Sequence, residues 1–414
     1  MLLWRQHRAV YPHAQALNLF SGSQTRSLVN IKLKWVKDKI LDSVVEGERD
    51  LKAACELKDK LADAPNAILP IHKLNRRRRQ LGLSHIRVSA FIRQYPNIFR
   101  ESHDANGAPL FQLSQEALKL HQEEQKILQQ HKADLVQKLC KLLMITADRA
   151  LPLQTIDQLR WDMGLPHDYQ QSLIPHFQQY FKLILLPDDR IGLKLLKWDP
   201  LLAISELQKK NNGSSGEILA FPVKFTRGFG LKRKCMLWLE EWQQLPYTSP
   251  YAGASGLDPR TDVSEKRIVG IFHELLHLTI GKKTDRANVS NLRKQFHLPQ
   301  KFTKVFGRHP GIFYISQKCN TQTVMLREAF DGRKMVQKHP LIEIRERFKG
   351  MMKMGKLDRS RGLHKKMSNE DEGGFLHILN NEDSETELTE CEDGSVSSLL
   401  SDDDIDVDDV QAPC

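Results

Sequence analysis

A pattern of three short helices followed by two strand-like runs recurs three times, and it constrains the fold of this chain more than any other feature. The clearest copy begins with an apolar helix at residues 268–278 and ends with hydrophobic runs at 312–315 and 323–326, which have the length and bulk of paired strands. Pro310 and Gly311 stop the third helix just before the first run. Three helices and a hairpin outline a winged-helix-like unit.

The other two copies are recognised by the short segment that precedes their third helix. Leu-Gly-Leu at residues 81–83 and Met-Gly-Leu at 163–165 correspond to Phe-His-Leu at 296–298. The sequence therefore predicts a mainly α protein with small β-hairpins, whose helical body contains three winged-helix-like repeat units. These units span about 48–113, 134–198 and 264–330, and an insertion at 199–263 separates the last two.

The distribution of charge indicates a polyanionic partner. The chain carries a net charge of +11, but residues 368–414 contain sixteen acidic residues and no Lys or Arg, so residues 1–367 alone carry +27. A body this basic favours nucleic acid as the partner, the alternative being a surface that is only well solvated. The acidic tail, residues 368–414, is too polar to bury a core and is predicted to be disordered. We expect it to be inert rather than to compete with nucleic acid.

Residues 1–27 have the composition of an organellar transit peptide. They contain Arg5, Arg8 and Arg26 but no acidic residue, with apolar and hydroxyl residues between the arginines. Their few serines favour a mitochondrion over a chloroplast, and a disordered basic terminus is the alternative to a transit peptide. No apolar run approaches the length of a membrane span, so membrane insertion is not expected.

Several long motifs resemble the PORR family, the plant organellar RNA recognition proteins. They are residues 29–38, residues 87–92 with the following Tyr95-Pro96, residues 221–229 and residues 272–279. The resemblance implies an RNA-binding domain at residues 28–367 of an organellar protein that binds intron RNA and promotes group II intron splicing. It also implies that the RNA supplies the chemistry, so that the protein is not an enzyme and needs no cofactor. Other splicing factors in a ribonucleoprotein are further expected partners.

Basic side chains are the candidate contacts for RNA phosphates. The four arginines at residues 76–79 point around the whole end of a predicted helix, so some are exposed however it packs, and arginine holds phosphate through a bidentate fork. Cations also favour helix C-termini, which accounts for one or two of the four without RNA. The complete set of predicted RNA-binding residues is Arg76, Arg77, Arg78, Arg79, Arg87, Arg93, Lys224, Phe225, Arg227, Phe229, Lys232, Arg233, Lys234, Lys301, Lys304 and Arg308.

Two stretches combine cations with aromatic rings. In residues 224–234, Phe225 and Phe229 alternate with Lys and Arg, a combination typical of surfaces where bases stack and cations hold phosphates. A core strand with solvated lysines is the alternative for this stretch. Trp35, which lies among four lysines, either stacks on a base or anchors the N-terminal segment to the body.

One motif suggests an enzyme instead. Residues 273–277 read His-Glu-Leu-Leu-His, the zinc-binding pattern of metallohydrolases, in which Glu274 would be the general base. We expect no metal, because Ile280 and Lys283 replace the glycine and histidine of the extended pattern and the next glutamate, Glu328, lies far beyond the helix.

A comparison between units supports a packing role for the same helix. Aligned without gaps, the second unit has Cys140, Lys141 and Met144 where the third has His273, Glu274 and His277. Helix packing accounts for both sets of residues, whereas metal binding accounts for only one. A zinc metallohydrolase and a protein-interaction scaffold are kept as alternative functions.

Overall fold

The computed structural model describes residues 28–360 except for 30, 32, 77, 84–85, 212–217, 231, 254–255 and 319–320, and except for the side chains of 359 and 360. The predicted transit peptide, the acidic tail and Arg77 therefore lie outside the described residues. The described part of the chain is mainly helical with small antiparallel sheets, as the sequence predicts. None of its helices is long and apolar enough to cross a bilayer.

The first unit consists of a helix, a short strand, two further helices and a hairpin. After α1 (Lys39–Val45), its elements are α2 (Glu48–Ala62), β1 (Ile68–Pro70), α3 (Ile71–Asn75), α4 (Val88–Ile92), β2 (Phe99–His103) and β3 (Pro109–Leu113). Strand β3 lies between β1 and β2 and pairs antiparallel with both. Val88, Phe91 and Ile92 are buried, so α4 packs through the apolar face that their spacing predicts.

The second unit has the same order of elements. After the connecting helix α5 (Gln115–Gln130), it contains α6 (Lys132–Ile145), β4 (Ala150–Pro152), α7 (Leu153–Met163), α8 (Tyr169–Ser172), β5 (Phe181–Leu185) and β6 (Ile191–Leu195). Strand β6 again lies between the other two strands. A tight turn joins its last two strands, where the Leu186 N–H donates to the Arg190 carbonyl at 2.9 Å.

The insertion and the third unit surround one buried helix. The remaining elements are α9 (Glu206–Lys210), α10 (Arg233–Gln243), α11 (Asp262–Leu278), β7 (Lys283–Asp285), α12 (Arg286–Ser290), α13 (Lys304–Arg308), β8 (Phe313–Ser316), β9 (Thr323–Leu326), β10 (Phe330–Asp331), β11 (Lys334–Met335) and α14 (Pro340–Ser360). The Thr261 hydroxyl caps α11 by accepting the Ser264 N–H. Nearly all side chains of α11 are buried, because it packs on several sides at once.

Two large apolar cores hold these elements together. One core joins the second unit, the third unit and the insertion, and it contains the tryptophans of α10, Trp238 and Trp242. The other core belongs to the first unit, and Phe348 and Met351 of α14 pack into it. Helix α10 is therefore a core element.

The structure differs from the sequence prediction at the first strand of the sheet in each unit. Strands β1, β4 and β7 convert each predicted hairpin into a three-stranded sheet, and all three were missed. Each is only three residues long. Apolar alternation cannot be recognised over so short a run, and such strands form because the hairpin offers them a free edge.

Glu48, at the start of α2, connects the three units. Its carboxylate accepts a hydrogen bond from Trp161 Nε1 in α7 at 3.1 Å and one from Lys283 Nζ in β7 at 3.0 Å. Burial opposes ionisation of this carboxyl group, but the charge and hydrogen bond of Lys283 outweigh it and lower the pKa of Glu48 to about 2.

We therefore expect Glu48→Gln to destabilise the protein in a pH-dependent way. Because the folded pKa lies below the ordinary value of 4.5, ionised Glu48 stabilises the native state above pH 4.5, and this contribution is lost as the pH falls towards 2. The loss at neutral pH should be about 2 kcal/mol, less than the full shift because the side chain is 25% exposed. Urea unfolding of both proteins at several pH values measures this difference. A difference that does not shrink below pH 4.5 would contradict the assignment.

Candidate nucleic-acid interface

The arginine run of the first unit lies beyond its helix rather than on it. Helix α3 ends at Asn75, and the exposed Arg76 is its C-terminal cap residue. Arg78 is half-buried, and its Nε donates to the Leu83 carbonyl at 2.9 Å. Arg79 is exposed. Of the described members of the run, Arg76 and Arg79 are thus the more accessible candidates for RNA contacts.

Arg87 and Arg93 flank α4 and differ in their surroundings. Arg87 is exposed and immediately precedes the helix. The guanidinium of Arg93 binds both carboxylate oxygens of Glu101, at 2.8 and 2.6 Å. An RNA phosphate would have to compete with this bidentate pair, so Arg87 is the better candidate of the two.

Residues 224–229 form a loop that is held against the third unit. The backbone N–H of Lys224 donates to the Gly311 carbonyl at 2.8 Å, and its Nζ donates to the Phe330 carbonyl at 3.1 Å. The half-buried rings of Phe225 and Phe229 stack on each other with their centroids 4.7 Å apart. A Cβ on Gly311 would lie 2.9 Å from the Phe225 ring, so this ring packs closely on the body. The loop is therefore neither a core strand nor a row of separate rings.

The same loop meets the basic N-terminal segment. Asp38 accepts hydrogen bonds from Thr226 and from Arg327, both at 3.1 Å. Lys37 and Lys39 lie on either side of Asp38 and are exposed, as is Arg227 next to Thr226. Two basic stretches that are far apart in the sequence are thus neighbours on the surface.

The contacts of Trp35 favour the anchoring interpretation. Its Nε1 donates to the Ile315 carbonyl at 3.1 Å, and its ring stacks on Tyr314 with the centroids 6.3 Å apart. Both contacts fasten the N-terminal segment to the hairpin of the third unit.

A cluster of three exposed cations lies at the N-terminus of α10. Lys232 is its cap residue, and Arg233 and Lys234 begin its first turn, which contains no acidic residue. A helix N-terminus carries partial positive charge, so cations there disfavour the helix. The opposite face of α10 is buried through Trp238 and Trp242, which keeps the cluster at the surface.

The cations predicted on the third unit fall into two groups. Lys301 and Lys304 are exposed. Arg308 is instead part of the packing: its Nε donates to Glu265 at 3.0 Å and its Nη2 to the Val29 carbonyl at 2.9 Å. Two good acceptors already hold its guanidinium, so a structural role accounts for Arg308 without RNA.

A cavity of about 410 Å³ between the second unit, the insertion and the third unit was not predicted from the sequence. Its lining includes Arg149, Trp198, Arg267 and His297, and no acidic residue is among the described residues that line it. The guanidinium of Arg149 lies over the Trp198 ring, 5.0 Å from its centroid. These residues are widely separated in sequence and follow no motif, so only the fold brings them together.

The His-Glu-Leu-Leu-His motif lies on α11. The expectation that Glu328 lies too far from this helix to join its two histidines is wrong. His273 and His277 each place Nε2 at 2.7 Å from the same carboxylate oxygen of Glu328. The third side chain that the motif lacked in the sequence is therefore present in the fold. The turn Arg327–Ala329, directly after β9, carries Glu328 back to α11. Burial lowers the pKa of His277 to about 4, so its imidazole is neutral near pH 7.

Glu274 does not face this group and is fully buried elsewhere. One of its oxygens lies 2.7 Å from both Lys141 Nζ and the Tyr251 hydroxyl, and the other accepts the Glu206 N–H at 2.7 Å. Lys141 is the residue that the ungapped comparison matches with Glu274, so these corresponding positions of α6 and α11 contact each other. A carboxylate committed to three donors is poorly placed to act as a general base.

Comparisons with known proteins agree with the motifs in the sequence. The family model of the plant organelle RNA recognition domain matches residues 36–357. Protein WHAT'S THIS FACTOR 9, mitochondrial, of Arabidopsis thaliana is 34% identical over 343 residues, which cover 81% of this chain and 88% of the relative. Protein WHAT'S THIS FACTOR 1 homolog, chloroplastic, of the same plant is 30% identical over 350 residues, covering 81% and 66% of the two chains.

A third relative and the solved structures complete the comparison. Protein ROOT PRIMORDIUM DEFECTIVE 1 of Arabidopsis thaliana is 29% identical over 338 residues, covering 77% of this chain and 83% of the relative. No solved structure matches this chain. Because the family model matches most of the chain, from residue 36 to residue 357, the protein belongs to the plant organelle RNA recognition (PORR) family.

Proposed function

We propose that this protein binds intron-containing organellar RNA and promotes group II intron splicing without catalytic activity of its own. Membership of the PORR family supports RNA recognition in an organelle. The relative named as mitochondrial supports a mitochondrion, and the relatives named as chloroplastic keep the chloroplast as the alternative. Other splicing factors would join the protein in a ribonucleoprotein.

The observation that carries this proposal is the cation cluster Lys232, Arg233 and Lys234. The three cations are exposed at a helix N-terminus, where each is unfavourable to the helix by about 0.3–1 kcal/mol. The cluster therefore contributes nothing to the stability of α10. A bound phosphate would neutralise both the cations and the positive end of the helix dipole.

The surroundings of the cluster suit a single strand of RNA. The loop at residues 224–229 leads directly towards it and carries the exposed Lys224 and Arg227, with Lys37 and Lys39 nearby. Phe229 is half-buried and forms one side of the ring stack, so a base could extend the stack while the cations hold the phosphates.

The contacts of Glu274 support a function without hydrolysis. In a zinc hydrolase of this motif the glutamate activates the attacking water. Here Lys141, Tyr251 and the backbone of Glu206 occupy its oxygens. The family resemblance supports the same conclusion, since it implies that the RNA supplies the chemistry.

We also propose that the three units are winged-helix-like repeats that form one RNA-binding body. The shared element order and the shared position of the last strand in the middle of each sheet support this relation. The contact between Lys141 and Glu274, which occupy matching positions in two units, supports it further.

Two phenylalanine variants are expected to separate stacking on RNA from packing. Phe229→Ala should weaken binding of single-stranded RNA by about 1–3 kcal/mol, the usual value of one stacked base, while leaving the salt dependence of binding unchanged. Phe225→Ala should instead lower the melting temperature, because this ring packs on Gly311. RNA affinity and thermal unfolding are measured for both variants. If Phe229→Ala lowers the melting temperature as much as Phe225→Ala does, Phe229 is a packing residue and the stacking role is wrong.

Crosslinking in the organelle tests the function itself. A tagged copy of the full chain is expressed in the plant, crosslinked to RNA in isolated mitochondria and chloroplasts, and the recovered RNA is sequenced. We expect intron sequences to be enriched, and the recovered protein to have lost the transit peptide predicted at residues 1–27. Enrichment of fully processed transcripts alone, or recovery of the protein only from the cytosol, would contradict the proposal.

A further inference from the structure

Three side chains on two separate elements converge on one point inside the third unit. Nε2 of His273 and Nε2 of His277 each lie 2.7 Å from one carboxylate oxygen of Glu328. The side chain of His273 is 1% exposed, that of Glu328 7% and that of His277 10%. We propose that these three residues bind a zinc ion.

The residue types and their spacing suit zinc. Two histidines one helical turn apart present their nitrogens on the same face, and two histidines with one glutamate are an established ligand set for Zn²⁺. In a tetrahedral site with bonds of about 2.0–2.1 Å, neighbouring ligand atoms are about 3.3 Å apart. The Glu328 oxygen would therefore move about 0.6 Å further from each nitrogen, and a water molecule would be the fourth ligand. The three ligand atoms already lie within 4.8 Å of one another.

Neighbouring side chains hold two of the ligands in orientation. Lys210 Nζ binds the other oxygen of Glu328 at 2.7 Å, which leaves one oxygen to face the histidines. The ring of Phe221 meets His273 edge-on, with the centroids 5.2 Å apart. Contacts of this kind fix the direction of a ligand atom before the ion arrives.

The other groups of histidines and carboxylates in the described residues are less suitable. Asp59, His121 and Glu124 surround the ammonium of Lys58, which lies 2.8 Å from Asp59 and 3.2 Å from His121 and so occupies the place of a cation.

The group of His131, Asp134 and His339 has a different defect. Nδ1 of His339 accepts the Leu341 N–H at 3.2 Å, which places the ring proton on Nε2, the nitrogen that faces Asp134. That nitrogen then has no lone pair for a metal.

Three protein ligands and a water molecule form the ligand set of catalytic zinc sites, but the position of Glu274 makes this site structural rather than hydrolytic. It would join the buried helix α11 to the turn after β9 and so strengthen the centre of the third unit. Glu274, the residue that would activate a water in a hydrolase, is held by Lys141 and Tyr251. The inference does not depend on the proposed RNA binding, because none of the three ligands belongs to the predicted RNA contacts.

Zinc content decides the proposal. The full chain is purified with a tag that contains no histidines, dialysed, and analysed for zinc by mass spectrometry. We expect about one zinc ion per chain. Glu328→Gln and His277→Gln should lower the zinc affinity by more than roughly 100-fold. Even the loss of a residue that only hydrogen-bonds to a metal ligand lowers metal affinity by about 10–100-fold. His131→Gln, which alters the rejected group, is the matched control and should retain the ion.

A second measurement on the wild-type chain tests the proposal even if the ligand variants fail to fold. Zinc added back to the chelator-treated wild-type chain should raise its melting temperature by about 2 °C or more, because an ion that binds only the folded state stabilises it. A wild-type chain without zinc and without this shift would overturn the proposal and leave a hydrogen-bonded cluster. Zinc that both ligand variants retain would overturn it as well.

Discussion

Replacing Glu274 by alanine is expected to destabilise the protein by about 3–5 kcal/mol, the usual cost of removing one partner of a buried ion pair. The carboxylate is fully buried, and Lys141, whose Nζ lies 2.7 Å from it, is 7% exposed. Without Glu274 the ammonium would remain buried without its nearest counter-charge, and the hydroxyl of Tyr251 would lose its acceptor. These contacts join α6 to α11, so the loss should affect the whole domain.

Chemical unfolding of a small set of variants measures this effect. Glu274→Gln removes the charge but keeps one oxygen that can accept from Tyr251, so it should cost less than Glu274→Ala, although its NH2 group would then face the Glu206 N–H. Combining Glu274→Leu with Lys141→Met should recover part of the loss, since no unpaired charge then remains. The double-mutant cycle should give a coupling above about 1 kcal/mol. Additive effects would show that the two residues do not stabilise each other.

Reversing the charges of Lys232, Arg233 and Lys234 to glutamate is expected to lower RNA affinity by about 100-fold or more. Three charge-assisted contacts of at least about 1 kcal/mol each would be lost, and repulsion would replace them. The thermal stability of the protein should not fall with the RNA affinity. Acidic residues are favourable at a helix N-terminus, so the melting temperature should stay constant or rise. Loss of RNA binding together with unchanged or higher stability distinguishes a lost contact from an unfolded protein.

A control variant excludes an effect of net charge alone. Lys182 and Lys194 are exposed and lie opposite each other on β5 and β6 of the second unit, away from the predicted cluster in the sequence. Reversing both should weaken RNA binding much less than the triple change does. Equal losses from the two variants would mean that RNA responds to total charge and that the cluster at α10 is not a binding site.

Local structure could be predicted from the sequence wherever an apolar pattern was long enough. The spacing of Val88, Phe91 and Ile92 predicts the buried face of α4, and the runs at 312–315 and 323–326 predict β8 and β9 within one residue. The three-residue strands β1, β4 and β7 could not be predicted, because they form on the free edge of a hairpin and have no recognisable apolar pattern of their own.

The candidate site could be predicted only in part, because its contacts join distant segments. Exposed cations such as Lys232 and Lys304 could be identified by type and position. The engagement of Arg308 by Glu265 could not, since 43 residues separate the two. Glu328 is 51 residues beyond His277, and no periodicity along the chain indicates that a turn brings them together.

The salt dependence of RNA binding tests the central claim most directly. The affinity of the full chain for a group II intron transcript, and for a double-stranded DNA of the same length, is measured over a series of salt concentrations. Each phosphate held on a single strand should contribute about 0.7 to the slope of log affinity against log salt. We expect tighter binding to the RNA and a slope of several phosphates, which falls when Lys232, Arg233 and Lys234 are changed to glutamine. Binding that is insensitive to salt, or equal for RNA and DNA, would contradict the account.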